Sequence, residues 1–225
     1  GFLMMKEVEF FTKLLKNPEK PFVAVLGGAK VADKVGVIRN LLDHVDTLII
    51  GGAMANTFLA ARGAQLGASK VETDKFALCQ EIEDAARARN VKLLLPVDLV
   101  AAGGLDAASG EICRVSDGVP EDKMALDIGP QTRQDFAAAV SGAATIFWNG
   151  PMGVFENPAF AQGTLAVAQA VANSKAVSVV GGGDSVAAIN QAGVADRISH
   201  VSTGGSASLE MMEGRILPGV AALEK

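Results

Sequence analysis

Short apolar runs, most of them ending in glycine and each followed by an amphipathic stretch, repeat along this chain. Phe22 to Leu26 ends at Gly27-Gly28, Thr47 to Ile50 at Gly51-Gly52, and Lys92 to Leu95 at Pro96-Val97-Asp98. Met124 to Ile128 ends at Gly129-Pro130, and Thr145 to Trp148 at Asn149-Gly150-Pro151. Ala176 to Val180 ends at Gly181-Gly182-Gly183, and Ser199 to Ser202 at Thr203-Gly204-Gly205. The runs are near-continuously apolar, the pattern of strands buried on both faces. Between them, apolar residues recur at helical spacing: Val35, Ile38, Leu41 and Leu42; Phe76, Cys79, Ile82 and Ala86; Leu165, Ala168 and Val171. Strands alternating with helices predict right-handed βαβ units. The expected fold is α/β, a doubly wound (Rossmann-like) three-layer sandwich on a mostly parallel sheet of about six strands.

Leu105 to Pro120 departs from the pattern, and its glycines and acidic residues predict a surface hairpin or excursion. Met4 to Lys16 reads as a helix with Val8, Phe11 and Leu15 on one side. It precedes the first strand, and in a larger protein it would join this domain to another. No Pro/Ser-rich linker and no charge run divides the chain, so residues 1–225 are expected to form one domain.

Composition narrows the field. Hydrophobic residues make up 49% of the 225, enough for a sizeable core and too many for a disordered chain. The formal net charge of −5 disfavours nucleic acid or an anionic membrane as partner, since both attract basic surfaces. No apolar run reaches the roughly 18 residues of a membrane span, and the start Gly1 to Glu7 is not a secretory signal. Without an initiator Met at position 1, the chain reads as a fragment or a processed product. Cys79 and Cys113 have no paired spacing, so a reducing cytosol is expected, with Cys79 in a core and Cys113 incidental. His44 and His200 stand alone and are read as structural.

The glycine clusters point to where chemistry belongs. In a doubly wound sheet they line one edge, and ligands bind in the crevice there. Glycine lets backbone N–H groups approach an anion and leaves room for a flat ring. The segment Gly27-Gly28-Ala29-Lys30-Val31-Ala32-Asp33-Lys34 spaces two lysines i, i+4 at an expected helix start, so both ammonium groups could face one polyphosphate. It is neither a P-loop nor a dinucleotide fingerprint, because Gly-x-x-x-x-Gly-Lys-Ser/Thr and Gly-x-Gly-x-x-Gly are both missing. Trp148 to Glu156 is a rigid Gly- and Pro-rich turn suited to walling a pocket, with Glu156 placed to accept bonds from ribose hydroxyls. Asp184, after Gly181-Gly182-Gly183 and before Ser185, reads equally as a helix N-cap and as a Mg²⁺ contact beside phosphates. Ser202 to Glu210 reads as a turn opening a helix, an anion site by geometry. No Ser-His-Asp arrangement or nucleophile elbow is present.

Taken together, these segments resemble phosphoglycerate kinase, in its C-terminal, nucleotide-binding domain. Eight blocks match in order: Gly27 to Lys34, Gly51 to Phe58, Leu95 to Asp98, Asp127 to Pro130, Trp148 to Glu156, Gly181 to Ser185, Ser202 to Glu210, and Leu217 to Val220. The resemblance implies ADP or ATP with Mg²⁺ as ligands. It implies that Lys34 contacts the nucleotide phosphates and that Lys30 stabilises the transferring phosphoryl group. Gly28, Ala29, Gly51, Gly52, Leu126, Pro151, Gly153 and Val154 would form or flank the adenosine pocket. Asn149 would lie near the triphosphate, Glu156 would hold the ribose, and Asp184 would contact the metal. Gly181, Gly182, Gly183, Ser185 and Thr203 would lie at the phosphates, with Gly204 and Gly205 offering amides to the phosphoryl group in flight. Ser206 stands where the family pattern has a third glycine. The implied reaction moves a phosphoryl group between 1,3-bisphosphoglycerate and ADP, with 3-phosphoglycerate as the other product. That substrate would sit on an N-terminal domain with no counterpart here. A cytoplasmic monomer that binds MgADP or MgATP and turns over little by itself is therefore expected. Other readings predict differently: a non-catalytic nucleotide-binding module shares the pocket, a Rossmann oxidoreductase would bind NAD, and a structural protein would bind no nucleotide.

Overall fold

The computed structural model describes residues 2–202 and 207–214. Its centre is a six-stranded parallel sheet. The strands are β1 (Phe22–Leu26), β2 (Thr47–Ile50), β3 (Lys92–Leu94), β7 (Thr145–Asn149), β8 (Val177–Gly181) and β9 (His200–Val201). They run side by side in the order β3-β2-β1-β7-β8-β9. Strand order reverses between β1 and β7, which makes this pair the switch point of a doubly wound sheet.

Every residue of β1 and β7 is buried, as their continuous apolar runs require. Alternate side chains feed opposite cores. Phe22, Ala24 and Leu26 join Leu48, Ile50, Phe147 and Val179 on one face. Val23 and Val25 join Ile49, Ile146, Trp148 and Val180 on the other. The first core is closed by α1 (Phe2–Lys16), α2 (Val35–Leu41), α3 (Ala53–Ala61), α4 (Phe76–Ala88) and α8 (Ala207–Met212), through residues such as Phe11, Ile38, Phe58, Ile82 and Met212. The second is closed by α5 (Pro130–Ser141), α6 (Gln162–Asn173) and α7 (Gly183–Gln191), through Phe136, Val167 and Ile189. The three-layer α/β sandwich expected from the pattern is therefore present.

One run belongs elsewhere. Met124–Ile128 (β6) is a strand, but it lies outside the parallel sheet. It pairs antiparallel with β4 (Asp98–Ala102), which pairs on its other edge with β5 (Glu111–Arg114), also antiparallel. The segment 105–120 therefore contains the return strand of a hairpin, and this small sheet roofs the carboxyl edge of the large one. Asp98 locks the two parts together. Its carboxylate accepts the amides of Gln131 (3.0 Å) and Thr132 (2.9 Å) and the Thr132 hydroxyl (2.6 Å). Those amides belong to the first turn of α5, where they have no partner within the helix.

At the other end, α1 buries Phe11 and Leu14, while Leu15 is half-buried. His200 of β9 stacks on Phe10 at 4.8 Å, and its Nε2 lies 3.3 Å from Glu7 Oε1, so α1 is docked on the sheet margin. Cys79 and Cys113 are both buried free thiols, and burial pushes each upward, Cys79 to about 12. Among the described residues no helix is long and apolar enough to cross a membrane.

Candidate functional site

Three turns interlock at the switch point. Gly27 N donates to Asn149 O (2.9 Å), Gly28 N to Pro151 O (3.1 Å) and Gly52 N to Met152 O (3.2 Å). A Cβ on Gly27 would lie 2.7 Å from the Gly150 carbonyl oxygen, so that position is closed to any side chain. Gly52 has φ +72°, and its Cβ would fall 2.7 Å from the backbone of Gly28. The glycines thus let β1, β2 and β7 end in contact, leaving bare backbone as the floor of a cleft.

That cleft has a volume of about 370 Å³. Gly28, Gly52 and Gly153 contribute flat backbone, and Leu105, Met124, Leu126 and Val154 supply an apolar wall. Lys70, Glu156 and Asp184 are exposed and charged at its margin. A mostly apolar slot with a few polar groups is the usual form of a small-molecule site.

Of the residues expected from sequence, Gly28, Ala29, Gly52, Leu126, Pro151, Gly153, Val154, Glu156 and Asp184 line this cleft. Others stand behind it. Gly51 makes room for the Met152 side chain and Gly181 for Ser208. Gly182, at φ +90°, is the N-cap of α7, and a Cβ there would lie 3.0 Å from Asn149 Nδ2. Gly183 opens that helix, exposed. Ser185 Oγ accepts the Gly150 amide at 2.6 Å, which fixes the turn after β7 against α7. Thr203, Gly204, Gly205, Ser206 and the block from Leu217 to Val220 lie outside the described residues.

The two lysines do not form a pair on one helix face. α2 begins only at Val35, and Lys34 is its N-cap, closed by a turn from Lys34 N to Val31 O (3.0 Å). The glycine pair and this turn delay the helix past both lysines. Lys30 is exposed, whereas Lys34 is buried. The Lys34 ammonium donates to the Gly27 carbonyl, the Asn149 carbonyl (3.2 Å) and Asn149 Oδ1 (3.1 Å). Asn149 Nδ2 in turn donates to Ser208 Oγ at 3.2 Å. Burial lowers Lys34 to about 8, with Asp33 and Asp184 pulling weakly the other way. Asp184 is not an N-cap, since Gly182 holds that position; its carboxylate is exposed in the first turn of α7.

Sequence reasoning passed over several residues. Asp127 lines the cleft yet is only 3% exposed. Its Oδ2 accepts the Gly163 amide (3.0 Å) and its Oδ1 the Ile128 amide (2.8 Å). Burial pushes it up to about 7, and those two amides hold it down. Asn56 and Lys70 also line the cleft. Glu72 was missed too: its carboxylate accepts the Val31 amide at 2.5 Å and steadies the lysine loop.

The profile of phosphoglycerate kinase matches residues 1–215. The chain belongs to the phosphoglycerate kinase family. It is 57% identical over 223 residues to the phosphoglycerate kinase of Moorella thermoacetica, covering 99% of this chain and 57% of that protein. The phosphoglycerate kinase of Herpetosiphon aurantiacus is 55% identical, with 99% and 57% covered. The solved phosphoglycerate kinase structure from Coxiella burnetii superposes with a TM-score of 0.94 at 46% identity, over 99% of this chain and 58% of that one. The one from Pyrococcus horikoshii gives 0.87 at 35% identity, over 100% and 56%. The chain therefore spans somewhat more than half the length of these phosphoglycerate kinases.

Proposed function

We propose that this chain is the nucleotide-binding half of a phosphoglycerate kinase and forms one domain over residues 1–225. It would take MgADP or MgATP for reversible phosphoryl transfer between 1,3-bisphosphoglycerate and ADP in cytoplasmic glycolysis. The observation that carries this reading is the cleft at the β1/β7 switch point, with its glycine floor, its apolar wall and a few charged side chains, Lys70, Glu156 and Asp184, among its lining. The base and ribose suit the apolar end, with Glu156 accepting ribose hydroxyls. The phosphates suit the end toward Asp184 and the exposed Lys30.

Asp184 fits a magnesium site. It is a single exposed carboxylate on the cleft, and Mg²⁺ is usually held by one or two carboxylates plus substrate oxygens. The ion would supply neutralisation of phosphate charge. Lys34 would donate to the phosphates after leaving its carbonyl cradle, and Lys30, free of the fold, would reach the phosphoryl group in transfer. Such a reaction asks the protein for positioning and charge neutralisation rather than for a nucleophile or general base. 3-Phosphoglycerate and its bisphosphate would bind on the complementary half, outside this chain.

Calorimetric titration with MgADP, with NAD as control, tests the reading. Saturable MgADP binding and no NAD binding are expected. Lys34→Ala should weaken MgADP by about tenfold or more, the scale of a lost charge-assisted contact. The same titration should weaken with rising pH. Free Lys34 loses its proton near 8, and phosphate binding raises that value, so above pH 8 each binding event must take up a proton. NAD binding without MgADP binding would favour an oxidoreductase and sink the proposal.

A further inference from the structure

Residues 103–110 connect β4 to β5 and carry one anomaly. Leu105 is 55% exposed although it lines the cleft. The second half of the connection is packed, Ala107 on the cluster around Phe160 and Gly110 against Val100 and Phe160, but its first half has little to hold it. A Cβ on Gly103 would meet nothing within 4 Å, and one on Gly104 would meet only the side chain of Asp106. Among the described residues, the hydrogen bonds that tie 103–109 to the rest of the chain come from one side chain. Asn157 Nδ2 donates to Leu105 O (2.9 Å) and to Ala107 O (2.8 Å).

Asn157 is itself well fixed. Its Oδ1 accepts the Ala159 amide at 3.0 Å, and its own amide donates to Val154 O at 3.1 Å. Val154 lines the same cleft, and Val154 N is bonded to Leu126 O of the apolar wall. One carboxamide thus uses both amide hydrogens and its oxygen to couple two walls: the loop bearing Leu105 and the turn bearing Val154 and Glu156.

We infer that Asn157 is a positioning residue for the nucleoside: it holds Leu105 over the cleft so that this solvated apolar side chain covers the flat face of a bound purine. The inference rests on the nucleotide reading above. An exposed leucine gains free energy only when something apolar covers it, and a base in the cleft would do so. The tether makes that gain available without ordering a glycine-rich loop at each binding event, since ordering of that kind subtracts from affinity. Asn157 touches no part of the ligand and acts through Leu105 alone.

The test uses adenosine, which is neutral, beside MgADP and magnesium pyrophosphate. Asn157→Asp keeps the oxygen that caps Ala159 but replaces the two-hydrogen donor with an acceptor facing two carbonyls. Asn157→Ser keeps a capping oxygen while losing the reach, and it replaces the Asp variant if that variant does not fold. Either change, and Leu105→Ala, should weaken adenosine by about tenfold, the worth of one or two covered methylenes. Pyrophosphate affinity should not move, which separates positioning from general damage to the site. Combining the Asn157 change with Leu105→Ala should weaken adenosine no further than one alone. Adenosine affinity unchanged by the Asn157 variants, or a double variant weakened by the product of the two single effects, would overturn the tether while leaving the nucleotide site intact. A parent chain that binds neither adenosine nor MgADP would remove the nucleotide reading, and the inference with it.

Discussion

Asp127 illustrates how a cleft is made from a cost at a single residue. Its carboxylate is shut away from solvent, where the charged form is disfavoured, and two backbone amides and the charge of Arg133 compensate only in part. With its native value raised from 3.8 to about 7, the native state holds this proton over a range where the unfolded chain has released it. Below pH about 4 both states are protonated, and the fold keeps its full advantage from this group. As pH rises toward 7 that advantage declines, by about 1.4 kcal/mol for each pH unit between the two values at most, and above 7 it is gone. Asp127→Asn cannot titrate. Thermal unfolding at pH 5 and pH 8 should therefore show the parent losing stability relative to the variant, by a few kcal/mol. Parallel pH profiles would mean that Asp127 is ionised throughout in the native state. Nothing in the residue pattern separates this Asp from a surface turn Asp. It stands near the end of the apolar run Met124–Ile128, with only Ile128 between it and Gly129-Pro130, and its burial comes from β4 and α6 closing over it. Lys34 was misread for a related reason. Spacing of four implies a shared face only if the helix already exists, and here it begins one residue later.

Between elements, the decisive contacts are backbone to backbone. α3 starts at Ala53 because Gly52 turns the chain at φ +72°, where a Cβ would fall 2.7 Å from the backbone of Gly28. Gly52→Ala should cost about 2–4 kcal/mol by urea unfolding, combining left-handed strain with a clash that backbone cannot relieve. Gly183→Ala is the matched control. That glycine opens α7, and a Cβ there meets nothing within 4 Å, so a change within about 0.5 kcal/mol is expected. Equal losses at both positions would show that the close approach at Gly52 is not what holds the turns together. The parallel strands were legible because burial on both faces leaves an unbroken apolar run, and because glycine must stand where strands end in contact. The second sheet was not. Met124–Ile128 has the same apolar run as a central parallel strand, yet its partner Asp98–Ala102 is separated from Leu95 by Pro96 and Val97 alone and reads as the tail of the preceding run. Hydrophobic pattern reports burial, while pairing direction depends on where the chain can return, which here is set by Asp98 capping α5. Glu156 and Val154 could be placed from their motif; Asn157 and Leu105 could not, since their roles exist only once the two walls meet.

At the scale of the molecule, a nucleotide bound as proposed has one bed in the cleft, and the described residues leave the far side of its phosphates uncovered. Phosphoryl transfer is accelerated by holding donor and acceptor in line, an effect worth about 7–11 kcal/mol when both are fixed, and by closing out water. The chain spans 57% of the Moorella thermoacetica relative, and on the proposed reading it fixes the nucleotide alone. Taken alone, it should bind MgADP yet give less than about a thousandth of the turnover of a full-length relative in a coupled assay with 1,3-bisphosphoglycerate, because the acceptor would meet a donor held by nothing. Affinity and rate must therefore part company: Asn157→Asp should shift the first and leave the second at background. Turnover by the isolated chain within tenfold of a full-length relative would mean that the bisphosphate also binds here. Asp184, Lys30 and the cleft margin would then have to serve both substrates. Binding without turnover would instead assign the missing rate to closure against the complementary half, as expected on the proposed reading, since the phosphates would then meet only Asp184, the exposed Lys30 and a Lys34 held by carbonyls.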